Sequence, residues 1–305
     1  MHVYLPIAEM SVSVLVFLGL GAAVGFLSGL FGVGGGFLLT PLLIFLGIPP
    51  AVAVGTGAAH IVASSVSGAF TQYQRNNVDV KMGIVMLAGG LIGTYIGVEV
   101  VRLLRKAGQF DIAVSLLYVT FLGVIGTLML IESLNAWRHA NSGKVASSRR
   151  SGQHNWVDGL PLKMRFTRSK LYISAIPPAV IGMFIGFLAA IMGIGGGFVM
   201  IPAMIYLLRM PTAVVVGTSL FQIVFVAAFA VLLQAIQNRT VDMVLAMLLV
   251  TGGVLGAQFG AMAGERLRGE HMRILLAVLV LIVAMRIAFD LVVTPSELFT
   301  FSGRQ

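Results

Sequence analysis

Two short runs, Gly32-Val33-Gly34-Gly35-Gly36 and Gly193-Ile194-Gly195-Gly196-Gly197, each place four glycines in five positions. Glycine adopts dihedrals closed to other residues and lets a ligand reach the main chain. A helix starting just after such a run points free N–H groups and a positive dipole end at whatever sits there. Gly34, Gly35, Gly36, Gly195, Gly196 and Gly197 therefore form a candidate site for an anion that needs no charged side chain. Close helix packing is the competing use of the same glycines.

A second set of polar groups follows each run. Thr56, His60 and Ser64 recur at i, i+4 and i+8 and so share one helical face. The matching stretch of the second half carries Thr218 and Gln222, with Ser219 beside them. A histidine within a membrane helix is costly and marks function more often than in a soluble protein, and as an imidazolium it would attract an anion. A structural hydrogen bond from His60, or threonine hydroxyls bonded back to their own helix, is the alternative. Thr56, His60, Thr218, Ser219 and Gln222 join the glycines as substrate-binding candidates.

Other polar residues read as structural. Asp79 and Asp242 stand at segment starts, where a carboxylate caps a helix and meets its dipole. Arg286 and Asp290 are spaced as a helical ion pair. Gly89-Gly90-Gly93-Gly97 and Gly252-Gly253-Gly256-Gly260 have the small-residue spacing of packed membrane helices. The chain has no cysteine, hence no thiolate metal site or cysteine nucleophile. It lacks HExxH, paired mid-membrane aspartates, and a serine turn that could join His60. No catalytic, metal or cofactor site is expected, and the chain is not read as an enzyme. With no mid-span acid, a carboxylate proton relay is missing and the coupling ion stays open.

The elements that position these residues are set by composition. Hydrophobic residues make up 58% and charged ones 10% of 305 residues, against roughly a quarter charged in soluble domains. Apolar runs long enough to cross roughly 30 Å of hydrocarbon recur without the alternation of a barrel strand. The expected fold class is all-α: a polytopic membrane protein of about ten hydrophobic segments. The net charge of +9 does not imply nucleic acid, because eight of the twenty basic residues fall between Arg138 and Lys170. That clustering follows the positive-inside pattern. The start, MHVYLPIAEM, lacks the basic region of a cleaved signal peptide.

The chain also reads as one module written twice. GFLSGLFGVGGGFLLTPLLIFL from Gly25 matches GFLAAIMGIGGGFVMIPAMIYLL from Gly186. Pro-x-Ala-Val-x-Val-Gly-Thr follows from Pro49 and from Pro211, and then Val78-Asp79 and Val241-Asp242. Four patterns in register establish a duplication. Segments fall near 11–30, 37–48, 51–73, 80–104 and 109–131, then near 171–192, 197–208, 213–236, 241–265 and 272–293. The second segment of each half is too short to span, so a glycine-broken hairpin is expected. Its short arm could start at Gly36 or at Thr40-Pro41. Five segments per half force the halves into opposite orientation, the inverted repeat of secondary transporters. The expected units are residues 1–131, a cytoplasmic basic linker 132–170, and residues 171–305, with both termini periplasmic and the chain in the inner membrane.

This motif set resembles the TauE/SafE family of sulfite exporters over roughly residues 12–131 and 171–293. The resemblance implies transport of sulfite, sulfonates or related small organic anions, often outward and without ATP. The family positions fall on Gly32 to Gly36 with Gly55-Thr56, and on Gly193 to Gly197 with Gly217-Thr218. Expected partners are a small anion and the lipid bilayer, with no nucleic acid; homo-oligomer formation stays open. A passive anion channel is the main alternative, since helix ends can also line a pore, and an intramembrane enzyme is the more distant one.

Overall fold

A computed structural model describes residues 2–31, 36–141, 161–169, 171–208, 210–264 and 269–292. Ten helices carry the chain: α1 (Val14–Phe31), α2 (Gly36–Phe45), α3 (Pro50–Gln74), α4 (Val80–Lys106), α5 (Phe110–Asn141), α6 (Ile176–Met192), α7 (Gly197–Tyr206), α8 (Thr212–Leu233), α9 (Met243–Gly264) and α10 (Gly269–Val292). A π-helical turn, Gln234–Asn238, extends α8. Local chemistry sets the ends. Pro50 opens α3 in its first turn, where a missing N–H costs nothing. Gly193 closes α6 in the left-handed conformation, φ +66°. Asp79 caps α4 by accepting from the Met82 N–H at 3.2 Å, as its position at a segment start suggested. The short helices begin at Gly36 and Gly197, not at Thr40-Pro41, and hold Pro41 and Pro202 inside.

Two elements were not expected of an all-α chain. β1 (His2–Leu5) pairs with β2 (Met10–Ser13), and β3 (Lys163–Phe166) with β4 (Leu171–Ser174), each as an antiparallel hairpin. Each hairpin precedes the first helix of its half. The second straddles residue 170, where the sequence reading divided linker from second repeat. Helix α5 likewise runs past residue 131 into that linker. Residues 142–160, the body of the linker, lie outside the described residues.

Contacts between the halves come in exchanged pairs. α1 packs on α9 and α6 packs on α4, in both cases through glycines. A Cβ on Gly89, Gly93 or Gly97 would meet the backbone of Ala179, Met183 or Phe187 respectively; on Gly252, Gly256 or Gly260 it would meet that of Leu18, Ala22 or Phe26. Both sets advance together, so each pair runs parallel. The small-residue spacing read in the sequence is therefore a packing surface, closing backbone on backbone. Counterpart helices α3 and α8 cross in the opposite sense. Ile61 lies with Ile223 and Gly68 against Leu220, while Gly55 meets Thr240 and Gly217 meets Asn77. Among the described residues, six helices are long and apolar enough to cross a membrane. α2 and α7, at ten residues each, rise only about 15 Å.

Candidate functional site

The site grows from the starts of α2 and α7. Phe37 and Phe198, equivalent residues one step into each helix, stack with ring centroids 4.7 Å apart. Gly36 lies against Ile61 and the Ile194 carbonyl, and a Cβ there would sit 2.8 Å from that oxygen. On the other side, Gly193, Gly195 and Gly196 have φ of +66°, +71° and +77°, a region that favours glycine. Gly195 packs on Ile61 and Ile223. No side chain caps α7 at Gly196. Pro41 and Pro202 have no N–H to give to the carbonyls of Phe37 and Phe198 four residues back, so both short helices also present a loosened carbonyl near the stack. Gly34 and Gly35 lie outside the described residues.

One loop is latched by polar side chains of the first half. The Tyr118 hydroxyl donates to the Met192 carbonyl, and the Thr40 hydroxyl donates to the Gly193 carbonyl at 3.4 Å. Sequence reasoning missed both residues. Their counterparts, Ile201 and Leu281, are apolar, so the repeat gave no signal for them.

Thr56 and Thr218 have a specific task that was not foreseen. The Thr56 hydroxyl accepts from the Asp242 N–H, and the Thr218 hydroxyl from the Asp79 N–H, both at 3.0 Å. Gly55 and Gly217 just before them admit the incoming loops, whose Thr240 and Asn77 stand where a Cβ would be. The repeated Gly-Thr and the repeated Val-Asp are thus two sides of one contact, made twice across the halves.

The aspartates carry the contact on to the hairpins. Asp79 Oδ2 accepts from Ser169 twice, from its N–H at 2.9 Å and its hydroxyl at 2.7 Å. Asp242 Oδ2 accepts from the Ile7 N–H at 2.9 Å, while its Oδ1 caps α9 through Val244 and Leu245, each at 3.1 Å. Each half therefore clamps the hairpin tip of the other with a buried carboxylate.

His60 and Gln222 form a further matched pair. His60 Nδ1 lies 3.0 Å from the Leu249 carbonyl, and Gln222 Nε2 lies 3.1 Å from the Met86 carbonyl. A carbonyl only accepts, so both nitrogens donate. The His60 ring rests on Gly253, and the Gln222 amide lies against Gly90. Both side chains are buried, and His60 Nε2 and Gln222 Oε1 have no hydrogen-bond partner among the described residues. Ser219 and Ser64 bond back to their own helices, to Val216 and Ile61. The structure thus brings Gly36, Gly195 and the Ile61–Ile223 contact together. It sets Thr56, Thr218 and Ser219 to structural bonds, and leaves His60 and Gln222 with one free polar atom each. Arg286 and Asp290 pair as their spacing suggested.

Comparison with known sequences fits this architecture. The sequence profile of the family described as sulfite exporter TauE/SafE matches residues 17–287. The chain is similar to "Probable membrane transporter protein YunE" of Bacillus subtilis (strain 168), 27% identical over 291 residues, covering 92% of this chain and 98% of that protein. A "Probable membrane transporter protein" of Xylella fastidiosa (strain 9a5c) is 28% identical over 256 residues, 83% of this chain and 86% of that one. "Sulfite exporter TauE/SafE family protein 3" of Arabidopsis thaliana is 28% identical over 130 residues, 40% of this chain and 27% of that one. No solved structure matches.

Proposed function

The chain belongs to the sulfite exporter TauE/SafE family, and from that premise we propose that it is a secondary transporter, in the export direction, of a small anion such as sulfite or a sulfonate. The anion binds near the mid-plane at the starts of α2 and α7, on the N–H groups of Gly34–Gly36 and Gly195–Gly197, with His60 and Gln222 flanking. The carrying observation is the meeting of these two short helices at Phe37 and Phe198, beside a loop of three left-handed glycines. Two positive dipole ends in a low-dielectric interior favour an anion without burying a cation.

An inverted repeat is part of the proposal. The antiparallel passage of counterparts α3 and α8, against the parallel passage of α1 with α9, supports a pseudo-twofold axis perpendicular to the helices. Lys163, Arg165 and Arg168 stand at the end that holds Asp79, where Arg168 reaches Asn76 at 3.0 Å. With the basic linker, they support a cytoplasmic reading of that end by the positive-inside rule, with both termini on the far side of the inner membrane. The Phe37–Phe198 stack and the Ile61–Ile223 contact favour a carrier that rearranges over an open pore. Sulfite counterflow in proteoliposomes tests this: a carrier accelerates uptake when the inside is preloaded, and a channel does not.

The site itself is tested with Gly195→Ala. Alanine strains a φ of +71° by about 1–2 kcal/mol and adds a Cβ 2.5 Å from Ile61 Cγ2. The variant accumulates in the membrane and loses the thermal stabilisation that sulfite gives the wild type. Sulfite stabilising the variant as much as the wild type overturns the assignment.

A further inference from the structure

His60 and Gln222 occupy equivalent slots in the two halves. Each donates one hydrogen bond to a carbonyl of the other half's fourth helix, and each rests on a glycine of that helix, Gly253 or Gly90. Each is then left with a buried acceptor that has no donor, Nε2 in one slot and Oε1 in the other. An unmet buried acceptor is destabilising, and in a membrane helix no solvent is at hand to relieve it. Twofold repetition of this cost at matched positions points to acceptors kept open for something that donates.

The slots differ in one chemical respect. Imidazole can take up a proton at Nε2 while Nδ1 keeps its bond to Leu249, whereas the amide cannot. Other charges in reach are committed. α1, α2, α6, α8 and α9 contain no ionisable residue among their described side chains. Asp242, just ahead of α9, is held by Ile7, Val244 and Leu245. From α5, Tyr118 spends its hydroxyl on Met192, and Asp111 stands at the helix start. His60 is then the group near the crossing of the halves that can bring a positive charge to a bound anion and take it away again.

We propose that Nε2 of His60 carries the coupling proton. It takes the proton from water on the loading side as the anion binds, and releases it to water on the other side as the anion leaves. A proton and a monoanion held together in a low-dielectric interior stabilise each other, so the two are co-transported one to one without net charge, outward when the internal anion excess outweighs an acid-outside gradient and inward when it does not. Gln222 keeps the matching slot hydrogen-bonded and unchargeable, which limits the stoichiometry to one. This inference rests on the transport reading above and adds the coupling ion to it.

The test uses purified protein in proteoliposomes with trapped pyranine, and two anions, sulfite and methanesulfonate. Methanesulfonate keeps its charge across the neutral range, so its own protonation cannot mimic coupling. With wild type, an acid-outside gradient drives accumulation of about tenfold per pH unit, with internal acidification matching anion uptake. His60→Gln copies the residue that fills the sister slot and keeps the carbonyl bond. It exchanges anion at a reduced rate, and its gradient-driven accumulation falls to the level seen without a gradient. His60→Gln that still accumulates anion on the pH gradient overturns the inference, as does wild-type exchange that moves no protons. Absence of wild-type flux for both anions overturns the transport reading instead, and the inference with it.

Discussion

Replacing Asp79 by asparagine keeps the shape of the carboxylate and removes one acceptor. In the native protein Oδ1 caps α4 through Met82 at 3.2 Å, and Oδ2 accepts from the N–H and hydroxyl of Ser169 at 2.9 and 2.7 Å. An amide can serve one side only. If its oxygen stays on Met82, its NH2 faces the Ser169 N–H, which cannot turn away; the serine hydroxyl can rotate and accept. If the amide flips, the helix cap is lost instead, at about 0.5–2 kcal/mol. Either way one buried donor is stranded, at about 1–3 kcal/mol, and a charge-assisted bond is lost beside it. Asp79→Asn therefore costs about 2–4 kcal/mol. Ser169→Ala removes a single hydroxyl bond to a carboxylate and costs about 1.5 kcal/mol.

The assay is thermal unfolding of purified protein, with each kcal/mol worth about 2–4 °C. Asp79→Asn lowers the midpoint by about 4–16 °C. The double variant with Ser169→Ala is less destabilised than the sum of the two single variants, by about 1 kcal/mol, since both lose the same bond. Asp242→Asn shifts the midpoint less, because its hairpin tip supplies one donor and Ala8 stands where the second hairpin has Ser169. Strict additivity of Asp79→Asn with Ser169→Ala would refute the clamp.

Two further outcomes follow from packing. Gly93→Ala and Gly256→Ala drive a methyl into the carbonyls of Met183 and Ala22 and cost about 1–3 kcal/mol, so membrane abundance falls several-fold on quantitative blotting; Gly19→Ala, with nothing within 4 Å, stays at the wild-type level. Tyr118→Phe strands the Met192 carbonyl and lowers the unfolding midpoint by about 2–6 °C, whereas Leu281→Phe at the counterpart position removes no hydrogen bond and shows no such loss of a donor in a cycle with Thr40→Val.

Much of this frame was legible because the duplication repeats its instructions. The runs after Gly25 and Gly186 gave the short helices, and the apolar segments gave the ten described helices to within a few residues, except where α5 continues past residue 131 and where the segment from 171 begins on β4 and becomes α6 only at Ile176. The small-residue spacing marked α4 and α9 as packing helices. What periodicity cannot give is the partner across the halves. Thr56 was visible as a polar residue on a helix face, yet its bond to the Asp242 N–H spans 186 positions. Both ends of that contact were in view as repeated motifs, and nothing in one chain's spacing says that they meet. The hairpins escaped for a different reason. Strands of four residues leave only two positions per face, too few for alternation to register.

The residues without counterparts carry information that the repeat cannot. Equivalent positions such as Phe37 and Phe198, or Gly25 and Gly186, build a frame whose halves could trade places at little cost. Thr40 and Tyr118 face Ile201 and Leu281 across that equivalence, Ser169 faces Ala8, and His60 faces Gln222. The first three differences put hydrogen bonds on the second half's glycine loop and hairpin that the first half's described elements do not receive. A duplicated transporter with identical halves would have two conformations of equal energy, each the image of the other. Polar contacts that differ between the described elements of the two halves bias that pair, and a ligand reverses the bias only through what it binds differently in the two states. The fourth difference, an ionisable ring against an amide, is the one that can change with its surroundings during a cycle. Symmetry in this chain accounts for the architecture, and these four exceptions are places where the two states of a cycle can differ in energy.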